Sequence, residues 1–311
     1  RDHQEEALEH SLATSTDRPH VVVTSGTGSG KTEAFLLPIL TRLVEESRSW
    51  PVSGPVNRWW ADDKPKSAGV RENEKRPAAL RSLILYPTNA LVEDQLVRLR
   101  RAVRRLEDAD PRARIWFGRY TGATLGSAAS KAASRLAKDA DKIRELEEEF
   151  DAVAAENAGS ELDLFSDPRR NELVHRHDFV AAPPDLLISN YAMLNVMLMR
   201  EHEEEMFART RDWLHDDPGA VFTLVIDELH TFRGTAGTEV GLLLRRFLER
   251  LGLRPDSSQL RIIAASASLD ANEGGRAYLE EFFGTDANSF HVTAGRAETV
   301  PPLEALEAGR S

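Results

Sequence analysis

Two short segments constrain the fold of this chain more than any other feature. Residues 24–35 read TSGTGSGKTEAF after the apolar run 21–23, and residues 225–230 read VIDELH at the end of the apolar run 221–226. A glycine-rich turn between a strand and a helix, closed by Lys-Thr, is typical of a phosphate-binding loop. Acidic residues at the carboxyl end of a parallel strand lie where open α/β sheets bind ligands. Together the segments predict the two halves of a nucleoside triphosphate site.

Each residue of the loop has a chemical reason to be there. Backbone N–H groups must wrap around phosphate oxygens, so glycines supply conformational freedom and close approach. Lys31 adds positive charge for the β- and γ-phosphates, and Thr32 offers a hydroxyl to Mg²⁺. A simple turn is the alternative, but the position of the Lys-Thr pair favours the phosphate loop. The predicted nucleotide-binding residues of the loop are Ser25, Gly26, Thr27, Gly28, Ser29, Gly30, Lys31 and Thr32.

Composition excludes several classes of protein. The 311 residues include no cysteine, which excludes a disulfide framework and a thiolate metal site and is typical of a cytoplasmic protein. No apolar run reaches the length of about 18 residues that a membrane helix needs, and the charged N-terminus is not a signal peptide. Because the chain begins at Arg1, we expect it to be part of a longer protein.

The net charge of −11 argues against a general coat for nucleic acid, although it allows a local basic groove. Arginines are dense at 98–105 and 112–119. The alternative interpretation of these two runs is a solvated helix face.

Apolar patterns alternate between strand and helix periods along the chain. This alternation predicts an α/β fold: a three-layer P-loop domain over 1–311, with a mainly parallel sheet of six or seven strands. Two segments interrupt the pattern as loop and helical insertions, at about 50–77 and 127–183. Predicted strands lie at 21–24, 81–86, 112–117, 184–189, 221–226 and 260–266. Predicted helices lie at 3–13, 31–46, 89–106, 237–253 and 274–284, and residues 191–210 are predicted to form one or two helices.

Each of the two insertions allows more than one structural interpretation. The first holds three tryptophans, which either stack on bases or a partner, or form a small satellite core. The second contains an Ala- and charge-rich arm, 128–157, with coiled-coil-like apolar spacing. We expect this arm to be a helix packed on the core or on a partner domain outside this chain. The tryptophans are Trp50, Trp59 and Trp60, and the apolar positions of the arm are Leu136, Ile143, Leu146, Phe150 and Val153.

Five further motifs occur in a fixed order around the two segments of the nucleotide site. Together with them, the set resembles the first RecA-like domain of superfamily 2 helicases and translocases over nearly the whole chain. DELH at 227–230 places the resemblance on the DExH side. The five motifs are HQEEAL at 3–8, YPTNALVEDQ at 86–95, TG at 121–122, PDLLISNYAML at 184–194 and SAS at 266–268.

The resemblance implies roles for residues at the nucleotide. It assigns Gln4 to the adenine edge, where an amide can donate to N7 and accept from the N6 amine. The alternative for Gln4 is an ordinary helix-surface position. Asp227 would hold Mg²⁺ together with Thr32, and Glu228 would orient and deprotonate the attacking water. Glu228, Lys31 and Asp227 are therefore the expected catalytic residues.

The resemblance also implies contacts with nucleic acid and a link between the two sites. His230 would couple the DELH turn, in which it lies, to the turn that carries Ser266 and Ser268. The alternative for Thr88, Asn89 and Asn190 is an ordinary helix N-cap. The expected nucleic-acid contacts are Pro87, Thr88, Asn89, Thr121, Gly122, Asn190 and Tyr191.

The stretch HTFRGTAGTEVGLLLRRF at 230–247 is similar to the large bacterial and archaeal DExH helicases of the mitomycin-repair group. The insertion pattern resembles defence-system helicases, those of the DISARM type most of all. The implied function is ATP-dependent movement on nucleic acid, with DNA favoured, in repair or anti-phage defence. The implied cofactors and partners are ATP, Mg²⁺, nucleic acid, a second RecA-like domain of the same parent chain, and repair or defence proteins, with no membrane partner.

No second P-loop-like domain and no arginine-finger element follow residue 268, so we expect the fragment to bind nucleotide and hydrolyse it weakly.

Two other functions stay open at this point. A nucleotide-dependent switch or assembly ATPase would use the arm 128–157 as its interface. An RNA helicase is the other alternative, because contacts in such a domain go mainly to the backbone.

Overall fold

The computed structural model describes residues 2–12, 18–24, 30–63, 65, 69–127, 133–156, 159–269 and 272–294. Eight strands and nine helices alternate along this part of the chain. The strands are β1 (His20–Thr24), β2 (Ser82–Tyr86), β3 (Phe117–Tyr120), β4 (Glu172–Leu173), β5 (Leu186–Asn190), β6 (Phe222–Ile226), β7 (Leu260–Ser266) and β8 (Phe290–Ala294). The helices are α1 (Asp2–Leu12), α2 (Lys31–Ser47), α3 (Asn89–Ala109), α4 (Ala133–Ala155), α5 (Arg176–Ala181), α6 (Tyr191–Met199), α7 (Glu204–Asp216), α8 (Gly234–Arg250) and α9 (Glu273–Phe283).

All eight strands form one sheet, in the order β4-β3-β5-β2-β6-β7-β1-β8. Every pairing in this sheet is parallel. Parallel strands place their carboxyl ends on the same edge, so the loops that follow them can form one site. The order puts β7 between β1 and β6, and it puts β2, β5 and β3 on the other side of β6.

The core lies on both faces of the sheet, which explains the long apolar strands. Alternate residues of each strand point to opposite faces: Leu83 and Leu85 pack on one side and Ile84 on the other. Helices α2 and α3 cover the face of Ile84, and α6 to α9 cover the opposite face. The predicted three-layer α/β fold with a mainly parallel sheet is confirmed.

The first insertion has a mostly irregular backbone in its described residues, 50–63, 65 and 69–77. Trp59 and Trp60 are buried in the main core, so they are not available to stack on bases and they do not form a separate satellite core. The Trp59 indole N–H donates to both carboxyl oxygens of Asp178 at 3.2 Å. Trp50 lies against the guanidinium of Arg76, 3.6 Å from the ring centre.

The second insertion packs its helix on the first. Arg58 pairs with Glu147 of α4 at 2.7 Å, and the indole of Trp60 donates to the same carboxylate at 2.9 Å. Leu136 and Ile143 of α4 are buried, whereas the later apolar positions of the arm are half-buried. The arm is thus a helix that rests on this domain along its first half.

Two details of the predicted elements are wrong. The strand predicted at 112–117 lies at Phe117–Tyr120, because the Trp116 N–H donates to the Asp185 carboxylate at 2.8 Å instead of to a neighbouring strand. The segment 191–210, predicted as one or two helices, forms the two helices α6 and α7, with an extended backbone at Arg200 between them. The sheet has eight strands instead of six or seven. No helix within the described ranges is long and apolar enough to cross a bilayer.

Candidate nucleotide and nucleic-acid site

The first half of the nucleotide site lies between β1 and α2. Lys31 and Thr32 are the first two residues of α2, and both are buried. Gly30 precedes them with φ 83°, in the left-handed region that glycine adopts without strain. The positive end of a 17-residue helix therefore faces the loop. The remaining predicted loop residues, Ser25, Gly26, Thr27, Gly28 and Ser29, lie outside the described part of the chain.

Gln4 of α1 lies beside this loop. Its side-chain amide donates to the Gly30 carbonyl oxygen at 3.0 Å. A Cβ placed on Gly30 would be 2.3 Å from the same amide nitrogen, so a larger residue would displace Gln4. Gln4 is half-buried and holds α1 to the end of the loop, which an ordinary surface glutamine does not do.

The second half of the site follows β6. Asp227 is 5% exposed, and its backbone N–H donates to the Leu85 carbonyl at 3.0 Å. Burial raises the pKa of Asp227 to about 6, and the N–H of Glu228, which donates to Asp227 Oδ1 at 2.8 Å, opposes that rise. A buried carboxyl group without a matching cation is costly. Thr32 and Asp227 thus have the character of a site that a divalent cation would complete.

Glu228 has φ 52°, a left-handed conformation that is uncommon for a residue with a side chain. This turn directs its carboxylate back across the site. Glu228 Oε1 lies 3.3 Å from Lys31 Nζ, and Oε2 lies 3.3 Å from His230 Nδ1. The structure thus brings together the three predicted catalytic residues Lys31, Asp227 and Glu228, although β1 and β6 are not neighbours.

The strand between them, β7, carries the serine turn. Ser266 is buried at its end, and its hydroxyl accepts from the Ser268 N–H at 3.4 Å. The contacts with the DELH side are made by the backbone of the turn: the Ala267 N–H donates to His230 Nδ1 at 3.4 Å. Arg233 donates to the Ser268 carbonyl at 3.0 Å, a contact that could not be predicted from the sequence. His230 therefore touches both Glu228 and the serine turn.

The predicted nucleic-acid residues after β2 and β5 contact each other. Asn190 Nδ2 donates to Asn89 Oδ1 at 2.5 Å, which ties the start of α3 to the start of α6. The Asn190 oxygen also caps α6 by accepting from Met193 N–H at 2.8 Å. Thr88 caps α3 at 3.5 Å. Thr88 and Asn190 therefore act as N-caps, the alternative considered for them.

Thr121 and Gly122 follow β3, next to β5 in the sheet. The Thr121 hydroxyl accepts from the Ala123 N–H at 3.2 Å, and its carbonyl accepts from Arg176 at 2.9 Å. No atom lies within 4 Å of a Cβ placed on Gly122, so this position faces open space. A phosphate could approach the backbone here without a steric barrier.

An open cleft of about 1050 Å³ lies beside the turn that follows β6. Its lining residues include Pro87, Thr88, Tyr191, Glu228 and His230. The strands β2, β5 and β6 are consecutive in the sheet, so their carboxyl ends open into the same space. Tyr191 is partly exposed there, and its ring meets the edge of a neighbouring phenylalanine at 5.6 Å between centres.

The arginine-dense helix α3 does not form a basic groove. Arg100 is buried and pairs with Glu172 at 2.8 Å, and Arg101 and Arg104 pair with Asp163 at 2.7 and 3.1 Å. These acids belong to the second insertion, whereas Arg98, Arg101 and Arg105 are exposed. The run therefore combines ion pairs with a solvated helix face.

Residues 1–141 match the family model of the DEAD/DEAH box helicases. These residues belong to a DEAD/DEAH box helicase domain. It is the first RecA-like domain of a superfamily 2 protein, and the order of motifs and strands agrees with that assignment. The helicase domain is 33% identical to the Druantia protein DruE of Escherichia coli (strain UMEA 4076-1), over 96% of this chain.

Two solved structures share the fold of the helicase domain. The DUF1998 helicase MrfA is 18% identical with a TM-score of 0.50, over 94% of this chain and 30% of that chain. The DEAD-box helicase Mss116, solved with ssRNA and UDP-BeF, is 14% identical with a TM-score of 0.51, over 95% of this chain and 40% of that chain. The helicase domain spans 18% of the length of DruE, so it corresponds to a small part of that relative.

Proposed function

We propose that this chain is the ATP-binding half of a motor that moves along nucleic acid, with DNA as the favoured substrate. The observation that best supports this function is the cleft of about 1050 Å³, whose lining residues include Glu228 and His230 as well as Pro87, Thr88 and Tyr191. A switch ATPase has no need for a nucleic-acid surface that opens onto its catalytic carboxylate.

The Lys31–Glu228 pair suggests how nucleotide would start the reaction. Their side chains lie 3.3 Å apart, so the two charges hold each other in the absence of phosphate. A triphosphate carries more negative charge than one carboxylate and would take Lys31 as its partner. Glu228 would then be free to accept the proton of the attacking water. The left-handed turn at Glu228 keeps its carboxylate aimed at this space.

Thr32 and Asp227 are the residues that would hold Mg²⁺. When bound, the ion supplies positive charge for the phosphate oxygens. It would also offset the burial of Asp227, whose pKa is raised to about 6. Gln4 would select adenine from its position next to Gly30.

His230 would carry the signal between the two substrates. Its Nδ1 lies 3.3 Å from Glu228 and 3.4 Å from the Ala267 nitrogen. The same side chain lines the cleft with Thr88 and Tyr191. A nucleic-acid strand that displaces the residues lining the cleft would therefore displace His230, which is a direct neighbour of the Glu228 carboxylate.

ATP hydrolysis is the test of this function. It is measured in the protein that carries this domain with its second RecA-like domain, with and without single-stranded DNA or RNA. We expect stimulation by DNA, and a loss of about 10²-fold or more in Glu228→Gln, the effect of removing a general base. Glu249→Gln, an exposed carboxylate of α8, is the matched control and should change nothing. Hydrolysis indifferent to both nucleic acids would favour the switch ATPase instead, and stimulation by RNA alone would favour an RNA helicase.

The 311-residue chain by itself should bind an ATP analogue and turn ATP over slowly. The charge of the transition state needs an arginine that we expect from a second RecA-like domain. Full DNA-stimulated turnover by the isolated chain would contradict this expectation. A DExH mechanism, a role in repair or defence with partner proteins of those systems, and a cytoplasmic location are parts of the same proposal.

A further inference from the structure

Three metal-ligating side chains meet at the β8 edge of the sheet. Glu6 and His10 are four residues apart on α1 and so lie on one face of that helix. His291 projects from β8, the last strand of the sheet. The two imidazole rings stack with centres 3.7 Å apart, and His291 Nε2 lies 2.7 Å from Glu6 Oε1. One ligand atom from each of the three residues lies within 4.8 Å of the other two.

We propose that Glu6, His10 and His291 bind one divalent transition-metal ion of the zinc type. Two imidazole nitrogens and one carboxylate oxygen form a ligand set that suits Zn²⁺. With metal–ligand distances of about 2.0 to 2.1 Å, tetrahedral ligands lie roughly 3.3 Å apart. To reach that spacing, the two stacked rings must tilt apart so that a nitrogen of each faces the ion, and water would take the fourth position.

The surroundings of these side chains suit metal binding. The Thr293 hydroxyl donates to Glu6 Oε2 at 2.6 Å and so orients the carboxylate. The Glu6 side chain is 44% exposed and that of His291 is 17% exposed, so an ion can reach them from solvent.

The bound ion would fix α1 to the sheet. In the described structure, α1 meets β8 through the ring stack and through the bonds of Glu6 to His291 and Thr293. The same helix carries Gln4, whose amide bonds the Gly30 carbonyl. A metal clamp at Glu6, His10 and His291 would therefore hold Gln4 at the nucleotide loop. The effect on Gln4 rests on the proposed nucleotide site, whereas metal binding itself does not.

Zinc titration of the 311-residue chain tests the metal site. The protein is prepared without a histidine tag, stripped with a chelator, and titrated with Zn²⁺ by calorimetry, with Co²⁺ as a visible spectroscopic probe. The chain has no cysteine, so no thiolate competes. We expect one equivalent bound with a micromolar or lower Kd, and a loss of tenfold or more in His10→Ala and in His291→Gln.

His215→Ala removes an exposed histidine of α7 and serves as the matched control. It should leave Zn²⁺ binding unchanged. No binding by the native chain, or binding that His10→Ala and His291→Gln leave intact, would overturn the metal site. In that case the three side chains serve only as the packing contact between α1 and β8.

Hydrogen exchange of residues 2–12 tests the clamp. Zn²⁺ should slow exchange in α1 and raise the Tm by about 4 °C when its concentration is a hundred times the Kd. Binding without slower exchange in α1 would overturn the clamp. The Glu228→Gln variant should bind Zn²⁺ as the native chain does, so failure of the proposed ATPase and failure of the metal site give different results.

Discussion

Replacing Asp227 with asparagine should make this domain more stable while it abolishes ATP hydrolysis. Asp227 is 5% exposed, and burial is the largest cause of its raised pKa. The Glu228 N–H and Lys31 oppose the effect of burial without cancelling it. The ionised carboxylate therefore lowers the stability of the folded state, and asparagine keeps the acceptor for the Glu228 N–H without the charge.

The size of the effect follows from the pKa. A change from the ordinary 3.8 to about 6 corresponds to roughly 3 kcal/mol, at 1.36 kcal/mol for each pH unit. The buried asparagine amide retains part of this cost of burial, so we expect Asp227→Asn to raise the free energy of unfolding by about 1 to 3 kcal/mol. Because the folded pKa is raised, the native domain loses this stability as the pH rises from about 4 to about 6. The advantage of Asp227→Asn should be absent near pH 4 and complete above about pH 7.

Thermal unfolding between pH 4 and pH 8, in buffer with chelator, measures this advantage. At pH 8 the Tm of Asp227→Asn should exceed that of the native chain by about 2 to 6 °C. Asp62→Asn, at an exposed carboxylate, is the control and should stay within about 0.5 kcal/mol of the native chain at every pH. A variant that is less stable at pH 8, or an advantage that is the same at pH 4 and pH 8, would refute the assigned cost of burial.

Three other substitutions test the two walls of the site. Gly30→Ala should cost about 1 to 2 kcal/mol from its left-handed backbone and displace Gln4, so the affinity for a fluorescent ATP analogue should fall about tenfold; unchanged affinity would contradict the role of Gln4. Asn190→Ala should lower stability by about 1 kcal/mol in denaturant titrations, through loss of the α6 cap. Tyr191→Ala should weaken single-stranded DNA binding by about 1 kcal/mol or more in fluorescence anisotropy, whereas Tyr191→Phe keeps the ring and should bind normally.

The alternation of strands and helices was predictable because each element carries its own period. The number and order of strands were not, since they depend on pairing between distant segments. β4 has two residues, too few to show a pattern, and β8 reads FHVTA, in which polar residues interrupt the apolar signal. The run RARIWF is apolar enough for a strand, but Asp185 binds the Trp116 backbone and moves the strand start to Phe117.

Candidate nucleotide residues could be named from the sequence because a phosphate loop and a strand-end acidic pair are local patterns. Their mutual geometry was not. Nothing in DELH indicates that Glu228 adopts φ 52° or that it faces Lys31 at 3.3 Å. In the same way, the sequence of α3 shows a dense run of arginines but does not show which acidic residues pair with them. Asp163 and Glu172, some 60 to 70 residues away, decide that these arginines are ion-paired.

The sheet order explains how one domain can serve two ligands. The candidate nucleotide residues follow β1 and β6, with β7 between these two strands. The expected nucleic-acid contacts follow β2, β5 and β3. β6 is thus the boundary, and the turn after it carries both Glu228 and His230. The second insertion extends the nucleic-acid side, because α4 and the end of β3 line a common pocket near Thr124. The cluster of Glu6, His10 and His291 lies at the opposite edge, on β8. Glu228 contacts Lys31 on the β1 side, and His230 lies beside it in the same turn, which makes this turn a natural place for coupling between the two sides.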